Sequence, residues 1–318
     1  VHAKAVASVP GAELVAVAEP FAEMAEQMRA RYGCDIREID QIVGSDDVDA
    51  VVICTPTDTH ADLIEQFTAA GKAVFCEKPI DLNVDRVRAC LTKVDAVGGR
   101  LMLGFNRRFD PDFMAVKAAI EDGKIGEVEM INLTSRDPGP PPYDYITRSG
   151  GIFRDMMIHD FDVARWLLGE EVTTVYAAAS VLTDAEIGKL GDFDSANVIL
   201  TTASGKQCTI TNSRRATYGY DQRIELLGSK GLIAAENVPE TTVVRSRSDG
   251  VTAAKPVHFF LERYMAAYNA EWAAFVTMAE TGGRAPVSLV DGVEALTLAE
   301  AATQSAALGR PVRVADVS

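Results

Sequence analysis

Val48-Asp49-Ala50-Val51-Val52-Ile53-Cys54, closed by Thr55-Pro56-Thr57 and followed by a helical stretch over 60–70 and then Ala73-Val74-Phe75-Cys76, decides how the first third of this chain folds. Both apolar runs are of strand length and lack alternation, which marks strands buried on both faces of a sheet. The helical stretch between them stops at Gly71, and the second run is closed by Glu77-Lys78-Pro79. The pattern repeats on either side. Leu14-Val15-Ala16-Val17-Ala18 ends at Glu19-Pro20, and a helix over 21–31 stops at Gly33. A further helix over 84–97 precedes Leu101-Met102-Leu103-Gly104-Phe105. Apolar strands separated by helices of ~10–15 residues give an α/β fold with a doubly wound parallel sheet.

The pattern changes near residue 127. Strands are expected over 127–133, 172–181, 196–202, 207–212, 223–227 and 232–235, several joined by short turns such as Ala203-Ser204-Gly205-Lys206 and Gly228-Ser229-Lys230-Gly231. Successive strands with short links favour antiparallel pairing within a mixed sheet. Helices are expected over 155–168, 262–281 and 292–308, the last stopped by Gly309. Pro138-Gly139-Pro140-Pro141-Pro142 marks an irregular loop ahead of Tyr143 and Tyr145. The division expected from these patterns is a nucleotide domain over 1–106 and a second domain over 107–318.

A doubly wound nucleotide domain ordinarily opens with a strand and a G-x-G-x-x-G turn. This sequence opens at Val1-His2-Ala3-Lys4-Ala5-Val6, which reads as the body of the helix after such a turn. The expectation is therefore that about 15–20 residues, the first strand and the glycine turn, lie upstream of this chain.

At 318 residues, 47% of them hydrophobic, the chain is long enough for two domains that each bury a core. No apolar run approaches the ~20 residues of a membrane span. A formal net charge of −15 argues against nucleic acid and against anionic membrane surfaces. The five cysteines, 34, 54, 76, 90 and 208, form no C-x-x-C pair and read as reduced thiols, which points to the cytoplasm.

Candidate chemistry gathers at strand ends and at one helix start. Glu19 stands where an acidic side chain accepts from the ribose hydroxyls of NAD, and no Lys or Arg follows it until Arg29, which favours NAD over NADP. Thr57 or Asp58 is expected to cap the next helix, and His60 reads as a first-turn surface residue more readily than as a catalyst. Lys78 can donate both to a substrate oxygen and to a nicotinamide ribose hydroxyl. In Ser149-Gly150-Gly151-Ile152-Phe153-Arg154-Asp155-Met156-Met157-Ile158-His159, a carboxylate and an imidazole sit four residues apart. On a helix that spacing puts them ~6 Å apart along the axis on one face, a natural acid/base pair near neutral pH. A structural cap with a buried histidine and a metal site are the other readings. No third His or Cys with suitable spacing supports metal, so none is expected. A lysine from one half and an Asp/His pair from the other suggest a site assembled from two domains.

Thr55-Pro56-Thr57 with His60, Glu77-Lys78-Pro79, Phe105-Asn106-Arg107-Arg108-Phe109-Asp110 and the Asp155/His159 block together resemble the Gfo/Idh/MocA family of nicotinamide-dependent sugar and polyol dehydrogenases. The stretch over 149–166, with Thr217-Tyr218-Gly219-Tyr220-Asp221-Gln222, is particularly similar to the branch that oxidises inositol at its 2-position. The resemblance covers almost the whole chain; its main departure is the glycine turn. It implies an N-terminal Rossmann domain and a C-terminal α/β domain whose large, mainly antiparallel open sheet serves as a subunit interface, hence a homotetramer. It implies Lys78, Asp155 and His159 as the catalytic trio, with Glu19, Thr55, Pro56, Thr57, His60, Glu77 and Lys78 toward NAD. Arg108 and Tyr220 join Asp155 and His159 on the side of a small polyol. The implied reaction is oxidation of myo-inositol to its 2-keto form. Another cyclic polyol or aldose is the second reading, and a non-catalytic ligand-binding protein of the same fold the third.

Overall fold

Four consecutive apolar residues at 73–76 are all buried, as are three at 101–103, so the parallel strands they form are covered on both faces. The computed structural model describes residues Val1–Val317. It divides into two compact units, the first Val1–Phe109 with Ala266–Val293, the second Asp110–Met265 with the chain from Glu294 on. A break near residue 107 does not anticipate the return of 266–293 to the first unit.

The first unit runs α1 (His2–Val6), β1 (Ala16–Val17), α2 (Ala22–Tyr32), β2 (Asp35–Ile36), α3 (Ile39–Val43), β3 (Ala50–Ile53), α4 (His60–Ala69), β4 (Ala73–Cys76), α5 (Val84–Ala96) and β5 (Leu101–Leu103). β1 pairs with β2, and β3, β4 and β5 form a three-stranded sheet; every pairing is parallel. α2 ends where Gly33 turns left-handed at φ 73° and returns its N–H to the Arg29 carbonyl, the stop read from the sequence. α5 starts at Asn83, whose side chain accepts from the Arg86 N–H. Leu103 N–H donates to the Val287 carbonyl at 3.1 Å, one tie that holds the late segment of the chain to this unit.

The second unit opens with α6 (Pro111–Glu121), capped by Asp110 with Pro111 in its first turn. It continues with β6 (Val128–Arg136), α7 (Tyr143–Ser149), α8 (Gly151–Asp155), α9 (Ile158–Leu168), β7 (Val172–Ser180) and α10 (Ala185–Lys189). Then come β8 (Ser195–Thr202), β9 (Gln207–Ser213), β10 (Asp221–Gly228), β11 (Gly231–Ala235), β12 (Val244–Arg247) and β13 (Gly250–Ala253). Two long helices, α11 (Phe260–Thr281) and α12 (Leu289–Leu308), have residues in both units, and β14 (Val312–Arg313) ends the run of strands. Seven strands form one sheet in the order β11-β10-β6-β9-β8-β7-β14, antiparallel at every step except β6 beside β9. The large, mainly antiparallel sheet thus carries one parallel pairing. Alternation along β8 and β9 buries Val198, Leu200, Cys208 and Ile210, and α9 lies against β6 and β9.

One expectation is corrected here. Asp155 and His159 do not share a continuous helix: α8 ends at Asp155, and α9 begins at Ile158. At the join the Met157 N–H reaches back five residues to the Ile152 carbonyl, at 2.9 Å, so the turn is wider than an α-turn. Regular i, i+4 geometry therefore does not hold between the two side chains.

Candidate active site

In the first unit the turns at the strand ends are tied to one another. Glu19, half-buried two residues beyond β1, accepts the Phe21 N–H at 3.0 Å and so orders the entry to α2. Beyond β3, Thr55 and Thr59 share a hydroxyl contact at 2.6 Å, and Thr59 donates its hydroxyl to the Pro56 carbonyl at 2.8 Å. Thr57 begins the single 3-10 turn Thr57–Thr59 that leads into α4.

His60 corrects the reading of a surface position, for it is 2% exposed. Its Nδ1 meets the Pro79 carbonyl at 2.8 Å and its Nε2 the Thr55 carbonyl at 2.8 Å. One ring therefore clamps the turn after β3 to the turn after β4, and both turns carry residues read as cofactor-binding. Carbonyl oxygens only accept, so whichever ring nitrogen carries the N–H donates to the carbonyl it faces.

Glu77 follows β4 directly. His2 Nε2 stands 2.7 Å from Glu77 Oε1, and the Lys78 N–H donates to Oε2 at 3.2 Å. The other ring nitrogen of His2 accepts from Trp272 Nε1 at 3.0 Å. An indole N–H can only donate, so the His2 proton lies on Nε2 and is given to Glu77. Burial pushes the Glu77 carboxyl up, but the bond from His2 and the Lys78 charge outweigh it and hold the group below the usual carboxylate range. The carboxylate thus fixes the backbone from which Lys78 projects. Arg108 lies in the short turn Asn106–Phe109 and donates to Asp291 at 2.8 Å. Burial raises the Asp291 carboxyl, and the Arg108 guanidinium more than reverses the shift.

In the second unit the two glycines before Ile152 are both left-handed, Gly150 at φ 85° and Gly151 at φ 82°. A Cβ on Gly151 would stand 2.8 Å from Asp192 Oδ1, so this position needs glycine for space as well as for its backbone angle. The same Asp192 oxygen accepts the Ile152 N–H at 2.9 Å, which anchors the start of α8. Asp155 closes α8 and is gripped from two sides: Tyr145 donates its hydroxyl to Oδ1 at 2.8 Å, and Arg214 Nη1 stands 3.6 Å from Oδ2. Arg214 itself is 1% exposed, and its Nη2 donates to Asp192 at 3.1 Å. His159 is half-buried in the first turn of α9, beside the buried Asp160 that Asn212 holds at 2.9 Å. Tyr220 is buried edge-on against Tyr264 with ring centroids 5.9 Å apart, and Tyr218 donates its hydroxyl to Asp221.

The first unit thus gathers Thr55, Pro56, His60, Glu77 and Lys78 around one histidine clamp, with Glu19 at a separate strand end. The second unit gathers Asp155 with Tyr145, Arg214 and Asp192. His2, Trp272, Asp192 and Arg214 carried no readable signal, since each acts through a partner distant in sequence. Tyr145 was visible only as an aromatic after a proline loop. The donor set of the first unit fits a nicotinamide dinucleotide. Glu19 carries a carboxylate, Thr55 a hydroxyl and Lys78 an ammonium, all at carboxyl ends of parallel strands.

These features define a Rossmann-type nicotinamide oxidoreductase. Residues 1–105 match the oxidoreductase family with an NAD-binding Rossmann fold, and residues 113–234 match the GFO/IDH/MocA C-terminal domain. The chain belongs to the Gfo/Idh/MocA family. It is 59% identical to the inositol 2-dehydrogenase of Rhizobium meliloti over 99% of this chain and 96% of that protein. It is 45% identical to the myo-inositol 2-dehydrogenase of Thermotoga maritima over 100% of this chain and 96% of the other. Among solved structures, a myo-inositol dehydrogenase from Corynebacterium glutamicum superposes with a TM-score of 0.94 at 44% identity, covering 98% of this chain and 94% of that one. The scyllo-inositol dehydrogenase of Lactobacillus casei, with bound NAD(H) and scyllo-inositol, superposes with a TM-score of 0.91 at 28% identity, covering 99% and 95%.

Proposed function

We propose that this protein is an NAD-dependent inositol 2-dehydrogenase that oxidises myo-inositol to the 2-keto form. The observation that carries this reading is the 59% identity to an inositol 2-dehydrogenase across nearly the whole chain. In the proposed mechanism His159 accepts the proton of the reacting hydroxyl. Asp155, held in place by Tyr145 and Arg214, favours the imidazolium that results. Lys78 donates to the same substrate oxygen and steadies the negative charge that develops on it. Bound NAD supplies the hydride acceptor at its nicotinamide ring. Glu19, Thr55, Pro56, Thr57, His60, Glu77 and Lys78 are proposed to hold it, and Arg108 and Tyr220 to hold the other ring hydroxyls of the polyol.

Myo-inositol is preferred to scyllo-inositol in this reading, supported by 45% identity to the myo-inositol 2-dehydrogenase of Thermotoga maritima against 35% to the scyllo-inositol 2-dehydrogenase of Bacillus subtilis. NAD is preferred to NADP. Glu19 would repel a 2′-phosphate, and Arg37, beyond β2, is already held by Asp35 and Asp47 at 2.8–2.9 Å. Initial rates with myo-inositol, scyllo-inositol and glucose, each with NAD⁺ and NADP⁺, test the reading. The highest kcat/KM is expected for myo-inositol with NAD⁺. A higher value for glucose or for scyllo-inositol would overturn the substrate, and one for NADP⁺ the cofactor preference.

A homotetramer is part of the same proposal. On one face of the seven-stranded sheet, Leu232, Leu227 and Met130 stand in register across three strands, and Ile199 stands opposite Tyr176. All five are 38–56% exposed. An apolar face of this kind suits self-association. Sedimentation should show a tetramer that Ile199→Asp and Met130→Asp break into smaller species. A cytoplasmic location is proposed on the five cysteines, none of which forms a disulfide.

A further inference from the structure

We infer that Arg214 and Asp192 are positioning residues for the acid/base pair, a buried guanidinium shared between two carboxylates so that Asp155 is held in place while keeping most of its charge for His159. The inference rests on the reading of Asp155 and His159 as that pair. It is carried by one buried side chain and its two unequal contacts. Arg214 is among the largest fully buried side chains in the molecule, and it follows β9, fixed by its own backbone N–H on the Asp194 carbonyl at 2.8 Å. A buried guanidinium needs compensating charge, and here two carboxylates supply it. Asp192 takes the hydrogen bond at 3.1 Å, while Asp155 stands at 3.6 Å, beyond a good hydrogen bond but within ion-pair range.

The asymmetry has a chemical consequence. A full bidentate salt bridge between Arg214 and Asp155 would neutralise the carboxylate and weaken its pull on an imidazolium at His159. Asp192 diverts the guanidinium, so the group of three carries a net negative charge. Asp192 also holds the Ile152 N–H at 2.9 Å, so one carboxylate places the start of α8 and, through Arg214, its last residue. Tyr145 completes the grip on the other Asp155 oxygen as a neutral donor. Of the other charged side chains on α8 and α9, Arg154 is paired with Glu300 and Arg165 with Glu171, while Asp160 accepts from the neutral Asn212 and Asp162 is fully buried; the variants below leave all four unchanged.

The test is the pH profile of kcat/KM for myo-inositol with NAD⁺, whose acid limb reports conversion of His159 to its neutral form. Asp192→Asn keeps an oxygen for the Ile152 N–H but removes a negative charge, so the imidazolium is less favoured and the limb moves to lower pH. Arg214→Gln removes the positive charge and moves the limb to higher pH. Each shift is expected to be about 0.5–1 pH unit, the size for a unit charge several ångströms away at high effective dielectric. Arg214→Lys keeps the charge and should leave the limb within ~0.3 units while lowering kcat, since an ammonium cannot serve two carboxylates as a planar fork does. Opposite shifts support the inference, because a merely structural role would lower activity without them. An unmoved limb, or shifts of the same sign, overturns it; should Arg214→Gln fail to fold, an unmoved limb in Asp192→Asn is enough. The residual activity of His159→Ala separates the two levels. If the limb persists there, the acid/base reading itself has failed; if the limb vanishes there yet ignores Asp192→Asn, only the positioning role has.

Discussion

Replacing His60 by leucine should loosen the two turns that the reading above assigns to the cofactor. The ring stands between the Pro79 carbonyl, in a buried contact, and the Thr55 carbonyl, in a partly buried one, each at 2.8 Å, and its N–H donates to one of them. Leucine fills similar space and donates nothing. A buried acceptor left unsatisfied costs about 1–3 kcal/mol, which is the loss expected for the one bond removed. For a chain of 318 residues the unfolding entropy makes each kcal/mol worth roughly 1.5 °C in Tm, which gives a fall of roughly 2–5 °C. The freed turns carry Thr55, Pro56, Glu77 and Lys78, so NAD should bind about tenfold more weakly, equivalent to about 1.4 kcal/mol. His60→Gln, whose amide can donate to one of the two carbonyls, should fall between the parent and His60→Leu. Differential scanning fluorimetry and calorimetric titration with NAD⁺ read both quantities. A Tm within ~1 °C of the parent, together with an unchanged NAD affinity, would refute the clamp.

Three other expectations follow from the same structure. His159→Ala should lose ~10²-fold or more in kcat while still binding NAD, and Asp155→Asn and Lys78→Met should also lower kcat; near-normal turnover in His159→Ala would sink the proposed mechanism. Tyr220→Phe should raise KM for myo-inositol and leave NAD affinity alone; the reverse outcome would move Tyr220 off the substrate side. Asp194 gives a pH effect of known sign. Burial pushes its carboxyl up, but the N–H groups of Leu182, Thr183 and Asp184 and the Ser195 hydroxyl bring it down to about 2. A depressed folded-state value stabilises the fold above the ordinary Asp range, and that stability is lost as pH falls from about 4 through about 2. The contribution is ~2 kcal/mol at neutral pH. Urea midpoints measured across that window should drop in the parent and show a shallower acid slope in Asp194→Asn.

The local pattern of the sequence determined the class of fold and most of its elements. Unbroken apolar runs at 73–76 and 101–103 could only be strands buried on both faces. The antiparallel pair over 196–202 and 207–212 was legible from the short turn at Ala203-Ser204-Gly205-Lys206 that joins the two strands. Glycine stops at Gly33 and Gly309 were legible for an equally local reason, a left-handed backbone at a helix end. The residue types of the candidate site were in view as well, namely Lys78 after a strand and Asp155 and His159 after two glycines. Tertiary structure alone decided what surrounds them. His60 is buried because a carbonyl nineteen residues away needs its ring. The parallel pairing of β6 with β9 and the assignment of 266–293 to the first unit join segments far apart in the chain. The break between Asp155 and His159 arises where the helical spacing had argued for continuity. Arg214 becomes meaningful only when the fold brings it to Asp192, twenty-two residues earlier, and to Asp155. Periodicity reports the face a residue presents, whereas the identity of a hydrogen-bond or charge partner is set by packing between distant elements, and no local pattern encodes it.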